Sequence, residues 1–172
     1  MTMRAAWIWL VGAVLAALTA CAQAEPPPVL TDAARTTFIL VDKSDRTLTL
    51  YAGDKVLKTY TGLQFGGAPA GHKQFEGDER TPEGRYIIDT RNPASAYHLS
   101  LRISYPNAQD RAYAAARGRS PGGDIFLHGQ PNALQDGRVP GDWTDGCIAL
   151  SNEQIEELWE AVSDGTPIEI RP

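Results

Sequence analysis

The sequence predicts a mainly β domain with two short helices, on three observations. Short runs of apolar and β-branched residues recur along the chain, Gly, Pro, Asn and Asp separate them, and only two segments combine a capping residue with a helical stretch. A length of 172 residues allows one domain of ordinary size with a full hydrophobic core and leaves no room for a second large one.

Taken in order, residues 1–21 read as an export signal. Arg4 is the only charge in the first twenty residues, and the apolar run from Ala5 to Leu18 is too short to span a bilayer comfortably. The run closes on Leu18-Thr19-Ala20-Cys21, which resembles the lipobox of bacterial lipoproteins. This predicts a mature chain that begins at a lipidated Cys21, exported to the periplasm and anchored to a membrane through that lipid. Cleavage after Ala22-Gln23-Ala24 would instead leave a soluble periplasmic protein. Either event removes Arg4 and takes the net charge from -5 to -6. Residues 22–36, with Pro26-Pro27-Pro28, have the composition of an extended tether, so the folded domain is expected over residues 37–172.

Residues 38–41, 47–51 and 56–60 read as strands of an antiparallel meander, with Asp45 and Ala52-Gly53-Asp54 supplying the turns. Residues 62–82, rich in Gly, Pro and charge, read as a long surface loop of the kind that tends to be functional. Strands resume at residues 85–89 and 99–105, and Pro106 ends the second. Asn107 then caps a short helix to about Arg117. Ile125-Phe126-Leu127 is a buried strand that delivers His128, and residues 147–150 form another apolar strand after a Gly- and Asp-rich loop. Ser151 and Gln154 make a capping box for a helix whose Ile155, Leu158, Trp159 and Val162 share one face. Gly165 is expected to stop it, and residues 167–170 to form the last strand.

Charged residues make up 22% of the chain, and the basic ones are scattered rather than gathered into a stripe, which argues against a nucleic-acid partner. Loss or lipidation of Cys21 leaves Cys147 as the single thiol of the mature chain. An unpaired thiol in an oxidising compartment is either reactive or a small buried hydrophobe, and the count does not choose. Its neighbours do. A thiol attacks as thiolate and needs an imidazole or backbone dipoles to ionise near neutrality. His128 lies 19 positions earlier at a strand end, and Gly146 allows backbone amides close to a reacting carbonyl.

His128-Gly129, an interval ending at Trp143, and Thr144-Asp145-Gly146-Cys147-Ile148-Ala149-Leu150 resemble the signature of the L,D-transpeptidase catalytic-domain family. The resemblance spans about Thr37 to Pro172. Gly71-His72-Lys73, the stretch from Gly77 to Tyr86, and Leu101-Arg102-Ile103-Ser104-Tyr105-Pro106-Asn107 look like segments of its compact, single-domain branch. It implies a mixed β-sheet or sandwich acting on peptidoglycan stem peptides, without cofactor. Cys147 would be the nucleophile that forms a thioester, His128 the general base and acid, and the Gly129 carbonyl the group that orients the imidazole. The amides of Gly146 and Cys147 would form the oxyanion hole. Thr144, Asp145, Arg80 and Tyr86 are the candidates for contacting substrate.

Two departures from the commoner pattern bear on the donor site: Asp145 where a second His usually stands, and Ala149 where an Arg often follows the Cys. A missing Arg removes a bidentate partner for a carboxylate, and an added Asp repels one. His72 and His98 could be assembled with Cys147 and Asp124 into a metal site on paper, but no metal-ligand spacing is present, so no metal is expected. His72 reads as solvated or substrate-facing. Asp78, Arg80 and Glu83 read equally as a charged surface loop or as cleft lining, and Trp143 as packing. Three activities fit this reading: acyl transfer to an amine, hydrolysis by a carboxypeptidase or amidase through the same thioester, and an inactive cell-wall-binding module that has kept the fold.

Overall fold

The computed structural model describes residues 35–172. The expected export signal, Cys21 and all but the last two residues of the tether lie outside the described residues. The first hydrogen bonds into the fold are made by Thr37, from its N–H and its hydroxyl to the Tyr51 carbonyl.

The strands β1 (Phe38–Asp42), β2 (Thr47–Ala52) and β3 (Lys55–Thr61) form the expected meander. In β1 and β2 every second residue is buried, with Ile39, Val41, Leu48 and Leu50 at 2% exposure or less. The strands β4 (Gly84–Asn92) and β5 (Ser100–Ile103) lead into α1 (Ala108–Ala115). Then come β6 (Ile125–His128), β7 (Ile148–Ala149), α2 (Asn152–Ala161) and β8 (Pro167–Arg171). Together the strands make one curled mixed sheet in the order β3-β2-β1-β8-β4-β5-β6-β7, parallel at β1–β8 and β6–β7 and antiparallel elsewhere.

The long strand β4 produces the curl. Its first residues, Gly84 to Ile87, pair with β8, its later ones pair with β5, and the register slips between Ile88 and Thr90. Asp89 sits at that slip and is bound by Arg102 of β5 through two hydrogen bonds of 2.8 and 3.2 Å.

Asn107 and Ser151 cap the helices through capping boxes, as expected. α1 is shorter than its periodicity predicts, ending at Ala115, and α2 ends at Ala161 because Val162 turns to extended backbone, with Gly165 in the turn before β8. A larger difference concerns residues 62–82. Leu63, Gln64 and Phe65 are buried, and Gln64 bridges Ala149 of β7 through hydrogen bonds of 3.0 and 2.8 Å, so the start of the expected surface loop flanks the sheet edge.

Candidate active site

The pairing of β6 with β7 brings His128 and Cys147 together. Leu127 faces Ile148 and His128 faces Ala149 in a two-residue parallel ladder, so the end of β6 runs beside the turn that delivers Cys147. On its other side His128 pairs with Ser100 of β5. His128 and Cys147 both line two adjoining cavities of about 300 and 260 Å³, and Tyr97 and Asp124 are the only other residues shared between them.

His128 is 3% exposed, and its Nδ1 lies 2.7 Å from the Gly129 carbonyl oxygen. A carbonyl can only accept, so Nδ1 carries the proton, and in the neutral ring Nε2 is left as an acceptor with no partner among the described residues. Gly129 is itself fixed, since its N–H donates to the Tyr97 and Leu99 carbonyls at 3.0 and 3.3 Å. A Cβ there would stand 2.6 Å from Asn152 Oδ1, so the site requires glycine. The rings of Tyr97 and Trp143 lie 4.7 and 5.6 Å from the imidazole. Burial holds His128 below the usual histidine range, against a smaller upward pull from the Gly129 carbonyl.

The Cys147 thiol is partly buried and donates to the Asp124 carbonyl at 3.5 Å. Burial pushes it up to about 11, the Phe126 amide draws it down, and the charge of Asp145 adds to the rise. Burial thus disfavours the charged form of both groups, the thiolate and the imidazolium.

The turn holding Cys147 is knitted by two hydroxyls. Thr144 Oγ1 donates to the Cys147 carbonyl at 2.8 Å and accepts from the Gly146 N–H at 3.2 Å, while Thr81 Oγ1 donates to the Gly146 carbonyl at 2.9 Å. Gly146 has φ 124°, and a Cβ there would lie 2.4 Å from the Arg80 carbonyl oxygen. The Gly146 N–H, expected as an oxyanion donor, is engaged by the Thr144 hydroxyl in this structure. The Cys147 N–H has no acceptor among the described residues and is the donor beside the thiol that remains for an oxyanion.

Of the four candidate substrate contacts, Thr144 and Asp145 line the larger of these two cavities, but the Thr144 hydroxyl is occupied within the turn. Arg80 contributes its backbone to the packing under Gly146, and its guanidinium lies toward Gly71. Tyr86 is not a cleft residue. It is 6% exposed, its hydroxyl donates to Asp110 at 3.0 Å, and its ring packs on Tyr105. Ala149 is fully buried in β7 and presents nothing to the cleft. His72, partly exposed, bridges Asp110 and the Glu83 amide and lines neither cavity, and His98 binds Glu156.

Tyr97, Asp124 and a polar lattice under the loop 130–143 were not legible as site residues. Gln130 is 1% exposed; it donates to the Leu150 carbonyl at 2.6 Å and accepts from the Val139 amide at 2.9 Å. Gln64 donates to the Val139 and Gly141 carbonyls at 2.6 and 2.5 Å. Asp142 is held by Arg46 through two bonds of 2.8 and 2.7 Å and by the Phe65 amide at 2.9 Å. The Arg46 hydrogen bond first, then the Phe65 amide, keeps Asp142 below the usual carboxylate range against the opposing effect of burial. These contacts fix Trp143, whose backbone N–H donates to the Phe65 carbonyl at 2.9 Å, against the imidazole.

Residues 36–170 match the family model YkuD, the L,D-transpeptidase catalytic domain. The chain belongs to the L,D-transpeptidase catalytic-domain family. It is similar to YafK of Escherichia coli strain K12, named as an L,D-transpeptidase, at 30% identity over 132 residues, which are 73% of this chain and 47% of that protein. The chain thus spans about half the length of that relative. Among solved structures it is similar to the helical cell shape determining protein Pgp2 from Campylobacter jejuni, with a TM-score of 0.63 and 29% identity over 78% of this chain and 47% of that one. The L,D-transpeptidase from Mycobacterium smegmatis, at 16% identity, TM-score 0.51 and coverage of 78% and 58%, shares the fold alone. The L,D-transpeptidase fold expected from the sequence is therefore the fold found, a curled mixed sheet with two helices.

Proposed function

We propose that this chain catalyses cysteine-dependent acyl transfer on peptidoglycan stem peptides, through a thioester on Cys147. The observation that carries the reading is a buried imidazole, locked by Gly129 with Nε2 as acceptor, facing the same two cavities as the one thiol among the described residues. The Cys147 sulfur attacks the carbonyl of the third, diamino-acid residue as His128 Nε2 takes the thiol proton. The Cys147 N–H steadies the oxyanion. As the tetrahedral species collapses, the C–N bond to the terminal amino acid breaks, and the imidazolium gives its proton to that departing amine. An amine of a second stem then attacks the thioester, loses its proton to Nε2, and the sulfur leaves and is reprotonated.

Water in place of that amine would give a carboxypeptidase or amidase, and the partition depends on how well the cleft excludes water against binding an amine. We further propose that the protein works outside the cytoplasm, anchored through lipid on Cys21. Incubation with a muropeptide bearing tetrapeptide stems tests the reading. Cross-linked dimers establish transfer, tripeptides alone establish hydrolysis, and the absence of a thioester by intact mass returns the chain to the class of binding modules.

A further inference from the structure

Two walls of the larger cavity beside Cys147 are acidic. Asp124 and Asp145 line it, both are exposed, and neither carboxylate has a hydrogen-bond or ion-pair partner among the described residues. No Lys or Arg lines this cavity or the smaller one that adjoins it. The aromatic faces of Tyr97 and Trp143 complete the enclosure. His128 supplies a separate observation, being 3% exposed and lining the cavity, with an Nε2 that accepts and has no partner among the described residues.

Each of these features selects the same chemistry. Two carboxylates repel an anion and attract a cation, ring faces attract ammonium groups, and an unprotonated imidazole nitrogen accepts from N–H; Arg102, bound to Asp89, and Arg111 line a third cavity on the other side of Asp124 and not this one. Ala149, two positions after the thiol, is fully buried, so no basic side chain enters from there. Asp124 holds φ 54°, a conformation that Asp and Asn tolerate better than most residues, and it places the carbonyl on the Cys147 thiol.

We propose that this cavity is a subsite for an ammonium group, with Asp124 and Asp145 as its specificity-determining residues. The proposal rests on the acyl-transfer reading above and names the charge of the group that this cleft selects. Two sources carry that chemistry: the side-chain amine of the donor's own diamino residue, and the acceptor amine of a second stem, which arrives as an ammonium and must give up a proton to His128 Nε2.

The test uses the full chain and an Asp124→Asn/Asp145→Asn double variant, with matched melting curves to establish folding. In one arm, tetrapeptide donors with the side-chain amine free or acetylated are hydrolysed without acceptor. In the other, the acetylated donor is offered a second stem with a free amine, and the ratio of transfer to hydrolysis is read. Ratios are compared because the substitutions also alter the acidity of the thiol. A preference of about five-fold or more for the free-amine donor, collapsing in the double variant, assigns the subsite to the donor. A transfer ratio that falls about as much in the variant assigns it to the acceptor. Equal rates on both donors, with an unchanged transfer ratio, overturn the proposal and leave the proposed function standing. No turnover of either donor by the wild type defeats that function and the proposal with it.

Discussion

In the half of the sheet formed by β3, β2, β1 and β8, strands of five to seven residues pair in long ladders, and β1, β2 and β8 bury apolar side chains at alternate positions while the edge strand β3 buries only Tyr60. In the half formed by β5, β6 and β7, the strands have four, four and two residues, and polar contacts do much of the fastening. Gln130, Gln64, Asp142, Thr81 and Thr144 there join segments as far apart as Arg46 and Asp142. The first half is a scaffold whose stability comes from apolar area removed from water. The second is a device in which direction matters more than area, because a hydrogen bond fixes the orientation of an imidazole or a turn as hydrophobic burial does not.

Substitutions in the two halves should therefore separate rate from stability. The largest effect is expected for His128→Ala, which should slow acyl-enzyme formation by about 10²–10⁴-fold, followed by intact mass. The melting temperature should fall as well, because the buried ring packs against Tyr97 and Trp143 and holds the Gly129 carbonyl, so the rate is read per folded molecule. The converse is Ile39→Ala in the scaffold. This side chain is fully buried in β1, and its truncation should cost about 2–5 kcal/mol in denaturant unfolding while the rate per folded molecule stays near wild type. A loss of acylation in Ile39→Ala as deep as that in His128→Ala would erase the distinction between the halves.

The same contrast explains what could be read from the sequence. The meander follows from period-two alternation and turn chemistry, and α2 follows from Ser151, Gln154 and the spacing of Ile155, Leu158 and Trp159, all local signals. His128 and Cys147 were legible because His128-Gly129 and the run from Thr144 to Leu150 together resemble a family signature, whereas their residue types alone read more readily as packing. Tyr86 was misplaced because a tyrosine after a charged loop reads as exposed until its partner Asp110, 24 positions away, is brought against it. Tyr97 and Asp124 carry no local signal at all. The bond from the Gly146 amide to the Thr144 hydroxyl was not legible for a similar reason, since it is defined by a turn geometry and not by a pattern.

A smaller effect is expected at the polar lattice. Gln130→Leu keeps much of the volume but leaves the Leu150 carbonyl and the Val139 amide without partners, at a cost of about 1–3 kcal/mol. The loop carrying Trp143 should loosen with it, so the rate per folded molecule should fall as well, unlike in Ile39→Ala. Acylation kinetics normalised to folded protein, measured beside the unfolding curve, check this. A stability loss with an unchanged rate would show that the lattice only fastens the loop and does not aim the ring beside His128.

The smallest effect, and the one that bears most directly on mechanism, is in the pH dependence. With His128 held low by burial and Cys147 pushed up to about 11, the reactive form is the neutral pair. Acylation should rise with pH through the lowered His128 value, as the imidazole becomes able to accept, and then stay level through neutrality. Thiolate absorbance should be absent at neutral pH and grow only as the thiol ionises. The signs for stability follow from linkage. His128 is depressed in the folded state, so its contribution is present above the unfolded value of 6.5 and is lost as pH falls through that value toward the lower folded one. Cys147 is raised, so its contribution is present below its ordinary 9.0 and is lost as pH climbs from there to about 11. Against Cys147→Ala, the wild type should therefore lose stability only over that alkaline interval. A thiolate already present at pH 7, or an acylation rate that falls as His128 deprotonates, would mean that the pair rests as an ion pair, and that proton transfer precedes attack instead of accompanying it.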